Sequence, residues 1–248
     1  MNDIVTWLRQ RATAATARGF VVGLSGGLDS AVVARLCQLA IPGQVAGVIM
    51  PCRSDPSDEV DATVVADAFG LTTLHVDLNA AYDAILETTS AALAALPSEM
   101  RRSSGEAPER IANGNIRSRL RMTTLYYVAN SLEYLVVGTE NRCELTVGYF
   151  TKYGDGGVDL LPIGHLLKNQ VRGLARELGV PEAIIDKAPA AGLWPGQTDE
   201  AEMGFSYADL ERYLTTGPEG VSPALALRLE RVIRSTEHKR TLPPTPDS

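Results

Sequence analysis

Only three cysteines occur in the 248 residues, Cys37, Cys52 and Cys143, and none belongs to a Cys-x-x-Cys pair. That excludes a disulfide framework and a thiolate zinc site, and it fits a reducing compartment. The three histidines, His75, His165 and His238, stand at no metal-ligand spacing. No Ser–His or Cys–His pattern offers a protein nucleophile. No apolar run approaches the ~18 residues that cross a bilayer, so no membrane partner is expected. Positive charge is in deficit: 23 Lys and Arg against 30 Asp and Glu leave a formal charge of −7. An acidic chain without a long basic run is not expected to have nucleic acid as its main partner. An anionic small molecule remains open wherever Arg and Lys cluster locally.

What is present is ordinary globular composition, 45% apolar and 21% charged, which excludes wholesale disorder. The length predicts a single domain over 1–248, able to bury about 70% of its unfolded surface. The first residues carry Asp3, Arg9, Arg11 and Arg18 rather than the apolar stretch of a secretory leader. Ile4, Leu8 and Ala12 instead repeat at helical spacing. A cytoplasmic address is expected.

Phe20 to Leu24 is a short, wholly apolar run, as expected of a strand buried on both faces. Val32, Val33, Leu36 and Leu39 give the next helix, and Val45 to Met50 a second strand. Ser57, Asp58 and Glu59 read as a helix start, and Gly70 as its stop. Leu74 to Leu78 reads as a third strand, 80–96 as a helix, 114–132 as a long helix and Leu135 to Val137 as a fourth strand. Residues 97–109, with two prolines and little to bury, read as a mobile loop. The chain reads as irregular from 138 to 161, then helical near 166–178, 181–186, 207–214 and 223–233. Alternating strands and helices predict an α/β fold, a doubly wound parallel sheet flanked by helices in three layers. Ligands of such sheets sit beyond the strands' carboxyl ends, here at 25–30, 51–55 and 139–144.

Ser25-Gly26-Gly27-Leu28-Asp29-Ser30 joins the first strand to the first following helix. Two glycines admit a ligand close to the backbone, and the free N–H groups of the helix start attract an anion. Ser25 and Ser30 add hydroxyl donors. No Gly-Lys-Ser/Thr follows, so this is not a Walker loop. Asp29 beside phosphates makes sense with a magnesium ion between them. Such a grip on pyrophosphate suits its release as a leaving group, with an AMP-activated intermediate.

Ser-Gly-Gly-x-Asp-Ser after a buried strand resembles the signature of the N-type ATP pyrophosphatases. Several later segments resemble the NAD synthetases within that group: Gly138-Thr-Glu-Asn-Arg-Cys-Glu144, Gly148-Tyr-Phe-Thr-Lys-Tyr-Gly-Asp-Gly-Gly157, Asp159-Leu-Leu-Pro162, Asn113 to Met122, Gly192 to Glu200 and Glu237-His-Lys-Arg240. The resemblance runs through nearly the whole chain without an added glutaminase domain. It therefore implies an adenine nucleotide α-hydrolase-like fold and the ammonia-using form. ATP would adenylate the nicotinate carboxylate of deamido-NAD, and ammonia would displace AMP.

The resemblance also implies roles. Ser25, Gly26, Gly27, Leu28, Asp29, Ser30, Thr139 and Lys168 would bind ATP, with Ala190 standing where many relatives carry a phosphate-binding hydroxyl. Asp29 and Glu144 would share Mg2+. Arg119, Lys152, Asp159, His238 and Lys239 would hold deamido-NAD. Asp155 would sit near the ammonia, and Lys168 would neutralise the departing pyrophosphate. Ammonia, not ammonium, is the nucleophile, so a carboxylate such as Asp155 is expected to take a proton from ammonium. Ile111 replaces an aromatic ring that in some relatives stacks on the nicotinate. A homodimer with the long helix 114–132 at its interface is implied. His75 and His165 read as structural, Cys37 and Cys52 as buried thiols and Trp194 as a loop anchor. Two other readings stay open: an amide-forming ligase for another carboxylate, and an ATP-binding regulator without catalysis.

Overall fold

Phe20, Val21 and Val22 have no exposed surface, and their strand is the hub of the sheet. The structure is a computed structural model, and it describes residues 1–100, 105–189 and 198–246. Ala190 and Trp194 lie outside the described residues. The strands are β1 (Gly19–Gly23), β2 (Val45–Ile49), β3 (Thr72–His75) and β4 (Tyr134–Val137), all parallel in the order β3-β2-β1-β4. β1 pairs Phe20 with Val45 on one side and Leu135 on the other. All four residues of β3 are exposed, and it begins two residues before the predicted start. This edge strand lacks the two-sided burial that makes β1 legible.

Helices α1 (Asn2–Ala14), α2 (Leu28–Ala40), α3 (Pro56–Phe69) and α7 (Lys168–Leu178) pack Leu8, Val32, Val65 and Val171 with Phe20 and Val22 on one face. α4 (Asn79–Ala94) and α5 (Glu106–Leu132) cover the other, where Tyr82 and Ala129 meet Val21, Val48 and Val136. The expected three layers are therefore present. A third cluster joins α6 (Arg142–Val147), α9 (Asp199–Met203), α10 (Tyr207–Thr216) and α11 (Pro223–Ser235) through Val147, Met203, Leu210 and Leu229. The short α8 (Glu182–Ile185) follows α7. No helix among the described residues is long and apolar enough to cross a membrane.

Two expectations need correction. α5 starts at Glu106, so the last four residues of the predicted loop 97–109 are helical. The stretch expected to be irregular after Gly138 contains α6. Asn141 Oδ1 accepts the Cys143 and Glu144 N–H groups at 2.9 and 3.2 Å, while Glu144 Oε2 accepts the Asn141 N–H at 3.0 Å. This reciprocal cap lets a six-residue helix form without an amphipathic stripe.

Candidate active site

The strand order reverses direction at β1. From there the chain winds outward to β2 and β3, then returns across the other face to β4. The crevice of such a sheet opens between the strands beside the reversal, at their carboxyl ends. A cavity of about 680 Å³ lies there, walled by the 25–30 turn, the 49–56 segment, 137–140, Glu144, Asp155 and Lys168.

The turn is braced from within. Ser30 Oγ donates to Gly27 O at 3.0 Å and accepts the Ser25 N–H at 3.3 Å; Ser25 Oγ accepts the Gly27 N–H at 3.2 Å. The two hydroxyls, expected as ligand donors, thus hold the turn's shape. Gly26 adopts φ +74°, and a Cβ there would lie 2.5 Å from Asp58 O. Gly26 supplies the bend against α3 rather than cavity wall. Gly27 precedes α2 without a side-chain cap, which leaves the N–H groups of the first turn for an anion. Leu28 and Thr139 line the cavity as well.

Lys168 is the electrostatic centre. It is buried at the start of α7, an end of the helix dipole that disfavours a cation. Two carboxylates hold it there: Nζ donates to Asp29 Oδ2 and, at 3.3 Å, to Glu144 Oε1. Burial pulls its pKa down, but Asp29 and Glu144 outweigh that and raise it. Burial pushes Glu144 up to about 7, against the opposing pull of Lys168. Asn141 Nδ2 adds a 3.4 Å contact to Asp29 Oδ1. Asp29 and Glu144 therefore converge on one cation, here the Lys168 ammonium, and such hard carboxylate oxygens also suit Mg2+. Among the described residues no cluster of three metal-ligating side chains occurs. Two protein carboxylates, completed by water and phosphate, are what Mg2+ ordinarily takes.

Asp155 stands at the rim between the cavity and α5. Ser118 Oγ donates to Asp155 Oδ1 at 2.6 Å and accepts the Asp155 N–H at 2.8 Å. The Thr151 N–H donates to the same carboxylate oxygen at 2.9 Å. Any Cβ on Gly154 would collide with Ser118 Oγ, so this glycine permits the brace.

The five residues expected to hold the dinucleotide lie outside the cavity wall. Arg119 Nη2 donates to Lys152 O at 3.2 Å, and Lys152 Nζ donates to His238 O. Lys239 Nζ donates to Gly148 O and Phe150 O, both at 2.7 Å, and burial lowers its pKa. Asp159 accepts the Val136 N–H at 2.8 Å and Tyr126 Oη–H at 3.0 Å. Arg119, Lys152 and His238 thus form one group. Lys239 is anchored on the 148–150 backbone, and Asp159 is tied to α5 two helical turns further along, through Tyr126. Arg121 faces the opposite way, into the cavity, donating to Met50 O at 3.3 Å and Ser54 Oγ at 2.7 Å; burial lowers its pKa. His75 pairs with Glu59 at 2.9 Å on the surface, and all three cysteines are buried.

Several cavity groups went unread in the sequence. Glu140 is buried, its Oε2 has no hydrogen-bond partner among the described residues, and burial raises its pKa well above the ordinary range. Lys187 bridges Asp58 at 2.9 Å and Asp61 at 2.6 Å. Tyr207 contacts Glu144 across 63 residues of sequence, and nothing local signals it. Asn141 was findable, because Asn-x-x-Glu is a capping pattern.

The family model for NAD synthase matches residues 1–243. The chain belongs to the NAD synthase family. It is 51% identical, over 99% of its length and 96% of the relative's, to the ammonia-dependent NAD+ synthetase of Carboxydothermus hydrogenoformans. Its fold matches the NMN synthetase of Francisella tularensis with a TM-score of 0.87, 37% identity and coverage of 100% and 97% of the two chains. The ammonia-dependent NAD synthetase of Campylobacter jejuni, in complex with nitrate, matches with a TM-score of 0.78 and 26% identity over 99% and 96%. A parallel sheet of the same family places the sequence resemblance on a full-length footing.

Proposed function

We infer that this NAD synthase family member is a ligase that uses ATP to amidate deamido-NAD with ammonia. The nicotinate carboxylate attacks the α-phosphorus of ATP, pyrophosphate departs, and an acyl-adenylate remains. Ammonia adds to the acyl carbon and AMP leaves with both electrons of the broken C–O bond, giving NAD. Asp155 would take a proton from ammonium to supply the ammonia nucleophile, and the proton released on amide formation would pass to a carboxylate or to water. Activation is needed because oxide is a poor leaving group and a phosphate is a stabilised one. The catalytic task is positioning and charge neutralisation, not nucleophilic attack by the protein.

The observation that carries this reading is the meeting of three elements at one crevice: an uncapped helix start, two carboxylates and a buried lysine. The 25–30 turn and Thr139 would seat the ATP phosphates, with Ala190 beside them at the position where many relatives carry a hydroxyl. Lys168 would neutralise pyrophosphate. Asp29 and Glu144 would hold Mg2+, which supplies further neutralisation of phosphate charge. Arg119, Lys152, Asp159, His238 and Lys239 would receive the dinucleotide, and Asp155, on the cavity wall, would stand between the two sites. A homodimer through α5, where Tyr127 stands exposed, and a cytoplasmic address complete the reading. Solution mass tests the dimer: about twice 26.5 kDa is expected, and a monomer at working concentration overturns it.

A second reading is favoured by one finding, the 0.87 match to an NMN synthetase. The same adenylation would serve a nicotinate mononucleotide. A panel comparing deamido-NAD, nicotinic acid mononucleotide and unrelated acids, read by AMP and pyrophosphate release, decides. Preference for the dinucleotide is expected. Preference for the mononucleotide establishes the second reading, and no AMP from any acid overturns both.

A further inference from the structure

Tyr207 opens α10 and is buried, yet its hydroxyl lies between two carboxylates. It is 3.0 Å from Glu144 Oε1 and 2.8 Å from Asp199 Oδ2. The Lys168 ammonium lies 5.1 Å from the centre of the Tyr207 ring. One side chain therefore touches the carboxylate, flanks the lysine and reaches into the first turn of α9. Asp199 is itself buried, at 4% exposure.

Glu144 has few other restraints. Its Oε2 is tied to the Asn141 N–H by the α6 cap. Its Oε1 receives Lys168 at 3.3 Å, an ammonium shared with Asp29, and the Tyr207 hydroxyl. A carboxylate held through one oxygen can still turn about its last torsion, which is broad. The hydroxyl fixes the direction of the second oxygen independently of Lys168.

We propose that Tyr207 is a positioning residue for the divalent cation: its hydroxyl, a single donor shared between Glu144 and Asp199, aims the Glu144 carboxylate, and Asp199 fixes the other side of that hydroxyl. The inference rests on reading Asp29 and Glu144 as the cation's ligands. Tyr207 acts through Glu144, as outer partners of metal ligands commonly do, with losses of 10–100-fold in metal affinity when removed.

Tyr207→Phe deletes the hydroxyl and keeps the ring, so packing and the Lys168 contact persist. The test is an electron paramagnetic resonance titration of the full chain with Mn2+ in the presence of α,β-methylene-ATP. The apparent Mn2+ dissociation constant is expected to rise about tenfold in Tyr207→Phe. In turnover assays the Mg2+ activation constant should rise alike, with kcat at saturating Mg2+ within about threefold. A purely structural role would lower the melting temperature and leave the Mn2+ constant unmoved, and that result overturns the proposal. Glu144→Gln, expected to weaken Mn2+ about a hundredfold or more, separates the two claims. If it weakens Mn2+ and Tyr207→Phe does not, the positioning role fails and the cation site stands. If neither variant moves, the cation site fails and the positioning role with it. Asp199→Ala carries the test if Tyr207→Phe does not fold. A three- to tenfold rise supports the tie, whereas no change, or a loss as large as in Glu144→Gln, overturns it.

Discussion

Asp29 and Glu144 were legible as single residues because each follows a strand end that local pattern identifies. Their joint grip on Lys168 was not, since Asp29 and Lys168 are 139 residues apart. Losing either acid from a site that stabilises developing charge costs about 3–4 kcal/mol. Asp29→Asn and Glu144→Gln should therefore each lower kcat/KM about a hundredfold or more, with unchanged circular dichroism. Near-normal turnover at saturating Mg2+ would remove them from the mechanism. Ser118 tells a related story. Its hydroxyl, unremarkable in an arginine-rich helix, makes two hydrogen bonds to Asp155. Ser118→Ala leaves Asp155 less well held, at about 1–2 kcal/mol. The expected outcome is a kcat about tenfold lower with little change in the KM for ATP. A change confined to ATP binding would place Asp155 elsewhere in the reaction.

At the scale of elements, the 25–30 turn depends on α3 as much as on its own residues. Gly26 packs on Asp58 O and the Asp61 side chain, and the same two acids hold Lys187. Gly26→Ala forces a Cβ into that contact at a positive φ. A loss of at least about 1–2 kcal/mol in stability is expected, with a raised KM for ATP. Denaturant titration and ATP dependence check the two parts. An unaffected KM would show that the turn does not seat the nucleotide. The elements missed in the sequence share a cause. α6 and α9 span six and five residues, too short for helical periodicity to register, and both start with side-chain caps, Asn141 and Thr198. α5 begins at Glu106 although Pro108 lies in its first turn, where proline is tolerated.

At the scale of the whole molecule, the site carries buried acids whose protons the fold holds tightly. Glu140 and Glu144 are both raised by burial, the latter to about 7. Such acids keep a proton in the folded state that the unfolded chain releases above its ordinary carboxyl range. Folding stability from these groups is therefore greatest at low pH and falls as pH rises from about 4.5 through 7. Urea unfolding between pH 5 and 8 should show that slope. Glu140→Gln, which cannot ionise, should make it shallower, and an identical slope would mean that Glu140 is already ionised in the fold. Bound ligand charge would shift these acids, so the ligand-free protein is the one to measure.

The order of the strands and longer helices, the parallel sheet and the glycine turn at 25–30 follow from the sequence alone. Each rests on neighbours within a few residues: apolar strand runs, helical stripes, and glycines at a strand–helix junction. The family resemblance reads through the same local segments. Tertiary structure alone decided which distant side chains share a cavity. Lys168 on Asp29, Tyr207 against Glu144, and Lys187 on Asp58 and Asp61 each close a loop of more than 60 residues. No local preference encodes such closures; the packing of α6, α7, α9 and α10 around the carboxyl ends of the sheet does.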